Sequence, residues 1–362
     1  MTSDHVCFIV PPQVLIQMID DGSPALRSSA LRTLAISERV RERRAVTRRL
    51  VQHAPQAAAA LLLQQVSAKR TVYDVRHGSQ GDLPGTRMRA EGDAPVTDPA
   101  VNQAYDGSGT TFDFYEQVFN RDSVDGLGLG LVSSVHFETD YDNAFWDGSQ
   151  MVYGDGDDQM FIRGGFTTCL DVMAHELTHG VTQFTAGLRY RAQSGALNES
   201  LSDVFGSLVK QYHAGQSTTQ ADWLIGEGIM GPELPGEALR SMKAPGTAFK
   251  FDNQPADMAH YVSLPADGDP RHDNGGVHIN SGIPNHAFYL AAMGIGGNAW
   301  EKAGAIWYTT LTTKLNENSD FQEAADATVS VSGDLYGAGG AEQQAVQSAW
   351  EQVGITPASR PG

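Results

Sequence analysis

The most informative part of the chain is the stretch Leu170-Asp171-Val172-Met173-Ala174-His175-Glu176-Leu177-Thr178-His179-Gly180-Val181-Thr182. It contains the pattern H-E-x-x-H at residues 175–179, and its periodicity predicts a helix. Two histidines four residues apart on an α-helix lie about 40° apart around its axis, so both imidazoles can bind one metal ion. Glu176 can then reach a water on that metal. The pattern is typical of zinc peptidases; the alternative is a helix with two surface histidines.

A catalytic zinc ion needs three protein ligands and one open position. The motif supplies His175 and His179 only. Twenty residues beyond His179, the sequence predicts a helical start that places Glu199 and Asp203 one turn apart on one face. We therefore expect Glu199 to be the third ligand and Asp203 to accept a hydrogen bond from the free ring N–H of His175.

Composition limits the classes of partner. The chain has 362 residues, of which 41% are hydrophobic, and this length predicts roughly two domains. A net charge of −18 opposes binding to nucleic acid or to an anionic membrane surface. Apolar runs such as residues 57–63 are far shorter than the ~20 residues of a membrane helix. We expect peptide or protein substrates, no nucleic acid or membrane partner, and a monomer.

The first residues give an expectation about location. Residues 1–7 lack a positive region, and two prolines interrupt the apolar stretch that follows, so a standard secretory signal is not predicted. The two cysteines cannot form a disulfide framework. We expect the protein to stay in the cytoplasm or to leave by a non-classical route.

Two short helices are predicted near the N-terminus. The first follows Pro12 and stops at Gly22, and the second begins after Ser23 and continues to the arginine-rich residues 39–49. Residues 1–50 carry a net charge of +3, which leaves −21 for the rest. Opposite charges predict a helical propeptide (1–50) docked on an acidic body, with a linker or processing region at 51–69. The alternative is an ordinary helical N-terminal subdomain.

The body is β-rich early and helix-rich late. We expect a β-rich lobe at 70–184 ending in the motif helix, and a mainly helical lobe at 185–362. A hairpin is predicted around Asp147-Gly148, and a helix over 97–119 is expected to break at residues 107–109. The acidic residues 155–158 are predicted to form a turn rather than a calcium loop, because the calcium loop would need glycine where Met160 stands. Further helices are predicted over 170–185, 198–212, 285–293, 299–314 and 343–353.

At this point the sequence resembles the thermolysin-like metallopeptidases. The likeness covers about Thr71–Leu315 and rests on the stretches N-A-F-W (143–146), T-A-G-L-R-Y (185–190), R-S-M (240–242) and D-N-G-G-V-H-I-N-S-G (273–282). Pro11-Pro12 in a short prosegment resembles the protealysin-like branch. The implied fold class is α+β, a two-lobed zincin with a β-rich N-terminal lobe, a helical C-terminal lobe and the zinc helix between them, preceded by a helical propeptide.

The resemblance also implies roles for individual residues. Glu176 would accept a proton from zinc-bound water and pass it to the leaving amine. Tyr190 and His278 would donate hydrogen bonds to the oxyanion, and Asp273 would orient His278.

The implied substrate contacts lie on both lobes. Arg240 would bind a substrate carbonyl, while Asn143 and the Ala144 backbone would hold the peptide as an added strand. Positions matching the family's apolar pocket are Val172, Ile225 and Leu239. The implied preference is cleavage before Leu, Ile, Phe or Val.

The acidic residues that would bind calcium depart from the family pattern. Family members often bind a pair of calcium ions through clustered acids, here represented by Asp171, Asp222 and Glu227. Lys210 and Leu224 replace two other acids, so we predict that the double calcium site is lost.

Cys7 lies in the predicted propeptide. We hypothesise that its thiolate occupies the open position of the zinc in the precursor. The alternative is a small buried apolar residue. Cys169 is predicted to be a buried structural thiol.

These observations predict a Zn²⁺-dependent endopeptidase made as a precursor and inhibited by its own propeptide. An exopeptidase would need a site for a free terminus, and no corresponding insertion is evident. A catalytically silent zinc-binding protein that keeps the fold is the alternative from another class.

Overall fold

The structure is a computed structural model that describes residues 6–53 and 70–358, with side chains of residues 44–53 excluded. The expected linker at 51–69 lies mostly outside the described residues. The chain forms two compact units. Unit 1 comprises the described residues within Met1–Gly180 together with Ile229–Pro235, and unit 2 comprises Val181–Gly228 together with the described residues within Gly236–Gly362. None of the described helices has the length and apolar composition needed to cross a membrane.

Unit 1 is built on a mixed sheet. Its strands are β1 (Cys7–Phe8), β2 (Arg70–Asp74), β3 (Thr86–Ala90), β4 (Leu131–Val135), β5 (Ala144–Trp146) and β6 (Met151–Tyr153). Their order is β1-β5-β6-β4-β2-β3. The pairs β2–β4 and β4–β6 are parallel, whereas the others are antiparallel. The pairing of β5 with β6 confirms the hairpin predicted around Asp147-Gly148.

Two helices of the N-terminal segment pack on this sheet. Helices α1 (Pro12–Asp21) and α2 (Pro24–His53) begin where predicted, and Gly22 ends α1 as predicted, but α2 extends past the arginine-rich residues 39–49. At the start of α2 the Ser23 hydroxyl accepts from the Leu26 amide. Ile36 and Val40 of α2, with Val6 and Phe8 from the residues before α1, join a core of unit 1 that also contains Val75, Phe137, Tyr141, Phe145 and Val152. The N-terminal segment is therefore part of the packed unit.

Helix α3 (Pro99–Phe119) is continuous, so the break predicted at residues 107–109 is wrong. A Cβ atom at Gly107 would lie 2.0 Å from Cε of Met173, and one at Gly109 would lie 2.0 Å from Nη1 of Arg70. These glycines allow neighbouring side chains to approach the helix closely. Packing of the helix outweighs their intrinsic cost of roughly 1 kcal/mol each.

The motif stretch lies on helix α5 (Leu170–Gln183), which follows the short helix α4 (Gly165–Thr168). The Thr178 hydroxyl donates to the Ala174 carbonyl and lies 2.8 Å from the Tyr115 hydroxyl of α3. This contact ties α5 to α3. Cys169, between α4 and α5, is half-buried rather than buried as predicted.

Unit 2 is mainly helical. Its helices are α6 (Ala192–Ala214), α7 (Asp273–Asn280), α8 (Gly282–Ile295), α9 (Lys302–Thr313), α10 (Phe321–Tyr336) and α11 (Ala341–Gln352), and its strands β7 (Leu224–Ile225) and β8 (Arg240–Ser241) are antiparallel. Helix α10 was not predicted, although Asp320 caps the Glu323 amide in an Asp-x-x-Glu pattern that marks a helix start.

A partly buried charge cluster in unit 1 gives a testable consequence for stability. His136 lies between two carboxylates, with Nδ1 2.8 Å from Asp155 and Nε2 2.9 Å from Asp98, the residue that caps α3. The hydrogen bond to Asp155, opposed by burial and supported by the bond to Asp98, raises the pKa of His136 to about 9. The charged imidazole thus links α3 to the end of the sheet.

We expect His136→Gln to lower the thermal midpoint by several degrees near neutral pH. Because the folded pKa is raised, the stabilisation is fully present below the unfolded pKa of about 6.5 and is lost as pH rises through about 9. Midpoints of both proteins should therefore converge at about pH 10. The exposed His213→Gln variant is the control. A difference that stays constant across this range would contradict the charged role.

Candidate active site

The two motif histidines face each other on α5. The Nε2 atoms of His175 and His179 are 3.1 Å apart, and both side chains are buried. A tetrahedral centre with Zn–N bonds of about 2.05 Å places two nitrogens roughly 3.3 Å apart. Their separation and residue type therefore fit a zinc ion.

Glu176 lies beside the same face and contacts the sheet. Its Oε2 accepts a hydrogen bond of 2.9 Å from the Trp146 amide at the end of β5. The carboxylate is fully buried. This bond fixes one carboxylate oxygen and places the motif helix next to strand β5.

The free edge expected at β5 is occupied by the N-terminal segment. Strand β1 pairs with β5 in antiparallel register, with Cys7 opposite Trp146. The pairing continues beyond the strand, because the Ile9 amide donates to the Ala144 carbonyl at 3.1 Å. Asn143 makes a reciprocal pair with Val10, accepting from its amide at 2.9 Å and donating to its carbonyl at 3.0 Å.

This pairing brings Cys7 to the histidines. Its sulfur and a ring nitrogen of His179 lie within 4.8 Å of each other, and the Cys7 side chain is 3% exposed. A thiolate is a strong zinc ligand. The position of Cys7 is compatible with either hypothesis for this residue.

Polar contacts also join the N-terminal helices to the acidic body. Asp157 accepts from the Ser29 hydroxyl and forms an ion pair of 2.6 Å with Arg32. Burial alone would raise the pKa of Asp157, but the hydrogen bonds from Ser29 and from backbone amides outweigh burial. The pKa of Asp157 is therefore lowered. Sequence reasoning had assigned Asp157 only to a turn, and no local signal marks it as a partner of α2.

Unit 2 contains the predicted oxyanion donors as one hydrogen-bonded chain. The Tyr190 hydroxyl donates to Glu199 and lies 2.9 Å from Nε2 of His278. On the other side of that ring, Nδ1 lies 2.6 Å from Asp273. Burial alone would lower the pKa of His278, but the carboxylates of Glu199 and Asp273 outweigh burial and raise it.

The backbone explains how Asp273 reaches His278. Residues Asp273 to Gly276 have positive φ angles of 47°, 50°, 90° and 78°, so α7 begins with a left-handed stretch. Glycine adopts such angles without strain. This turn lets the Asp273 carboxylate accept from the His278 amide at 2.7 Å as well as from the ring.

Arg240 and Asp203 form a second buried group in unit 2. The guanidinium contacts Asp203 through two bonds of 2.8 Å, and Asn285 donates to the same carboxylate at 2.8 Å. Burial alone would lower the pKa of Arg240, but Asp203 raises it, so the arginine stays charged.

Two of the predicted pocket residues, Ile225 and Leu239, lie on or next to the β7–β8 pair. Register pairs Ile225 with Arg240, and the Leu239 amide donates to the Ile225 carbonyl at 2.9 Å. Val172 is buried on α5 in unit 1.

Helix α6 starts at Ala192, earlier than the predicted start, so Glu199 lies inside the helix.

Lys210 occupies the region where the family pattern implies calcium ligands. Its ammonium lies 2.9 Å from Asp222 and donates to the Leu224 carbonyl at 2.8 Å. A positive charge thus takes two oxygen contacts of the kind that calcium would use.

The chain matches two family models that follow each other along the sequence. Residues 55–183 match the catalytic domain of the thermolysin metallopeptidases, and residues 186–355 match their α-helical domain. An extracellular metalloprotease of Pectobacterium carotovorum subsp. carotovorum is 47% identical over 98% of both chains. Thermolysin of Alicyclobacillus acidocaldarius subsp. acidocaldarius is 41% identical over 78% of this chain and 50% of that protein.

A solved structure supports the same assignment. The precursor of protealysin, a metalloproteinase from Serratia proteamaculans, is 45% identical and superimposes with a TM-score of 0.82 over 97% of this chain and 100% of that chain. These comparisons confirm the thermolysin-like fold, and the match to a precursor supports a propeptide at the N-terminus. The chain belongs to the thermolysin family of metallopeptidases and is a zinc metalloendopeptidase.

Proposed function

We propose that this chain is a latent precursor of an endopeptidase that cuts proteins on the N-terminal side of bulky hydrophobic residues, with Glu176 as the general base. The observation that carries the proposal is the buried pair of His175 and His179, with Nε2 atoms 3.1 Å apart, next to Glu176 and the edge of β5. A silent zinc-binding protein would not require the base beside the pair.

We assign zinc binding to His175, His179 and Glu199, and the orientation of His175 to Asp203. When bound, zinc supplies a Lewis acid that makes water more nucleophilic and polarises the carbonyl of the bond to be cut. Glu176 accepts the proton of the attacking water and transfers it to the leaving amine. The bond from the Trp146 amide to Oε2 supports this role, because it orients the carboxylate.

Tyr190 and His278 stabilise the negative charge that develops on the carbonyl oxygen. Their chain of hydrogen bonds supports this assignment, since Asp273 holds Nδ1 of His278 and leaves Nε2 directed to Tyr190. Prepositioned donors need no reorganisation during the reaction. Asp273 acts through His278 as a positioning residue.

Substrate binding is assigned in part to two groups that now hold the chain's own N-terminal segment. Asn143 and the Ala144 carbonyl pair with main-chain atoms of Val10 and Ile9, which supports their use by a substrate in an added strand. Arg240 would bind a substrate carbonyl. Val172, Ile225 and Leu239 would contact the side chain after the cut.

We expect Glu176→Gln to reduce kcat by about 10²–10⁴-fold, because the amide cannot accept the proton. The measurement is cleavage of a quenched peptide that contains an internal Gly–Leu bond. Wild type and variant are compared in the same processed form, that is, with the same N-terminal residue. A zinc chelator should abolish wild-type activity and added zinc should restore it. Glu342→Gln, a change at a surface ion pair, is the control. If processed, zinc-loaded wild type cuts no internal bond, the proposed function fails.

Latency is assigned to the N-terminal segment, with Cys7 as the precursor's ligand at the open zinc position. Two observations support this assignment: β1 occupies the β5 edge, and the Cys7 sulfur is within 4.8 Å of a His179 ring nitrogen. Edge pairing blocks the added-strand site whether or not the sulfur binds metal.

We expect Cys7→Ser to raise the activity of uncleaved precursor toward a small peptide, because serine is a weaker zinc ligand while β1 pairing is kept. Mass spectrometry during the assay confirms that residues 1–53 are still attached. Cys169→Ser, at the other cysteine, should leave latency unchanged. Equal latency of Cys7→Ser and wild type would rule out the thiolate but not the edge block.

We further propose that Lys210 replaces the double calcium site. Its contacts with Asp222 and the Leu224 carbonyl support this, because an ammonium neutralises the acid without a metal.

We expect calcium to change the wild-type thermal midpoint by less than about 2 °C, since a ligand that does not bind the native state cannot stabilise it. Lys210→Glu should be less stable and should regain stability when calcium is added. Lys314→Glu, at an exposed lysine, should show no such response. A wild-type increase of many degrees with calcium would contradict the replacement.

A further inference from the structure

One exposed loop of unit 1 presents an apolar side chain to solvent. The loop consists of residues 120–130 and connects α3 to β4 without a helix or strand of its own. Leu127 at its tip is 86% exposed, the highest value among the large hydrophobic side chains of the described residues. An exposed leucine contributes almost nothing to folding.

The five other exposed large hydrophobic residues of the described chain are all less exposed than Leu127. Leu31, Met293 and Leu335 lie within helices α2, α8 and α10. Ile162 and Phe184 lie outside helices, but they are only 39% and 40% exposed; the Ile162 amide is hydrogen-bonded, and Phe184 lies in the turn that follows α5. A peptidase that binds substrate as an added strand needs an extended segment, so helical residues are protected. Loop tips are the preferred sites of proteolytic nicking. The Leu127 loop therefore combines the side chain and the backbone that such an enzyme requires.

Four amide hydrogen bonds hold the tip of this loop, two to main-chain carbonyls and two to one carboxylate. The Gly126 and Gly128 amides donate to the Ser123 and Asp122 carbonyls at 3.3 and 3.0 Å. Oδ1 of Asp125 accepts from the amides of Leu127 and Leu129 at 2.9 and 3.0 Å. Below the tip, the Ser123 hydroxyl donates to the Leu129 carbonyl and Val124 is buried. Opening residues 126–128 thus breaks the hydrogen bonds of three amides, and local opening of an exposed loop tip has a low free energy.

The sequence repeats the same dipeptide three times in this region. Gly–Leu bonds occur at 126–127, 128–129 and 130–131. Leu129 is half-buried, and Leu131 is a buried residue of β4. A specificity for the residue after the cut cannot distinguish these bonds, so only the folded structure can select among them.

We propose that the Gly126–Leu127 bond is a self-cleavage site, at which one molecule of the active enzyme cuts another. The proposal rests on the proposed preference for cleavage before bulky hydrophobic residues. One water is consumed, and the products are a carboxylate on Gly126 and an amine on Leu127.

The test is incubation of purified, processed enzyme at two concentrations, with fragment N-termini identified by sequencing. We expect a fragment that begins at Leu127, formed faster per molecule at the higher concentration because the cut is intermolecular. A linear peptide spanning residues 122–133 should be cut at all three Gly–Leu bonds. Fragments of the folded enzyme that begin at Leu129 or Leu131, with none at Leu127, would overturn the proposal.

Substitutions at two positions probe the cause. Leu127→Asp should slow the cut at least about tenfold, because an apolar pocket rejects a charged side chain. Asp125→Ala should accelerate it severalfold by freeing the two amides, whereas Asp125→Asn, which keeps an acceptor, should do so less. Leu335→Asp is the control. An unchanged rate in Leu127→Asp would overturn the proposal.

Hydrolysis of the quenched peptide is recorded in the same samples. If the enzyme cuts the peptide but gives no fragment beginning at Leu127, this inference is wrong and the proposed function stands. If neither the peptide nor the linear segment is cut, the proposed function fails and the self-cleavage site fails with it.

Discussion

The arrangement of unit 1 depends on two buried imidazoles whose Nε2 atoms lie 3.1 Å apart. Two neutral ring nitrogens cannot face each other at this distance without a proton or a cation between them, because their lone pairs repel. The helix that carries them is fixed on both sides. Thr178 contacts Tyr115 of α3, and Glu176 accepts from the Trp146 amide of β5. The fold therefore holds a geometry that a zinc ion makes favourable.

Strand β5, whose Trp146 amide orients Glu176, pairs with β6 along one edge only. Its second edge is therefore open to pairing with another segment. Exposed strand edges attract any segment able to pair with them, and proteins cover them to avoid this. Here the cover is Cys7–Phe8 of the same chain, extended by the reciprocal bonds between Asn143 and Val10. An edge that binds peptide substrates is for the same reason an edge that an N-terminal segment can block. Under the proposed function, substrate binding and latency would therefore depend on the same edge of β5.

The sequence predicted those parts of the structure that have local signals. Gly22 and the spacing of the H-E-x-x-H motif mark a helix end and a metal-binding face within a few residues. The break predicted at Gly107 was wrong because close packing on Met173 reverses the usual effect of glycine in a helix. Asp157 was missed as a docking partner because its contacts with α2 span more than one hundred residues. The roles of Arg240 and Tyr190 came from family resemblance, since no pattern around either residue indicates catalysis.

Charge alone does not account for the docking of the N-terminal segment. Exposed or partly exposed ion pairs such as Arg39–Glu138 contribute at most about 1 kcal/mol each. Burial of a large apolar side chain contributes roughly 1.5–3 kcal/mol, and Val6, Phe8, Ile36 and Val40 all lie in the core of unit 1. The apolar contacts together therefore exceed the ion pairs severalfold. Opposite charge favours the approach of the segment to the acidic body, whereas apolar packing supplies most of the free energy that holds it there.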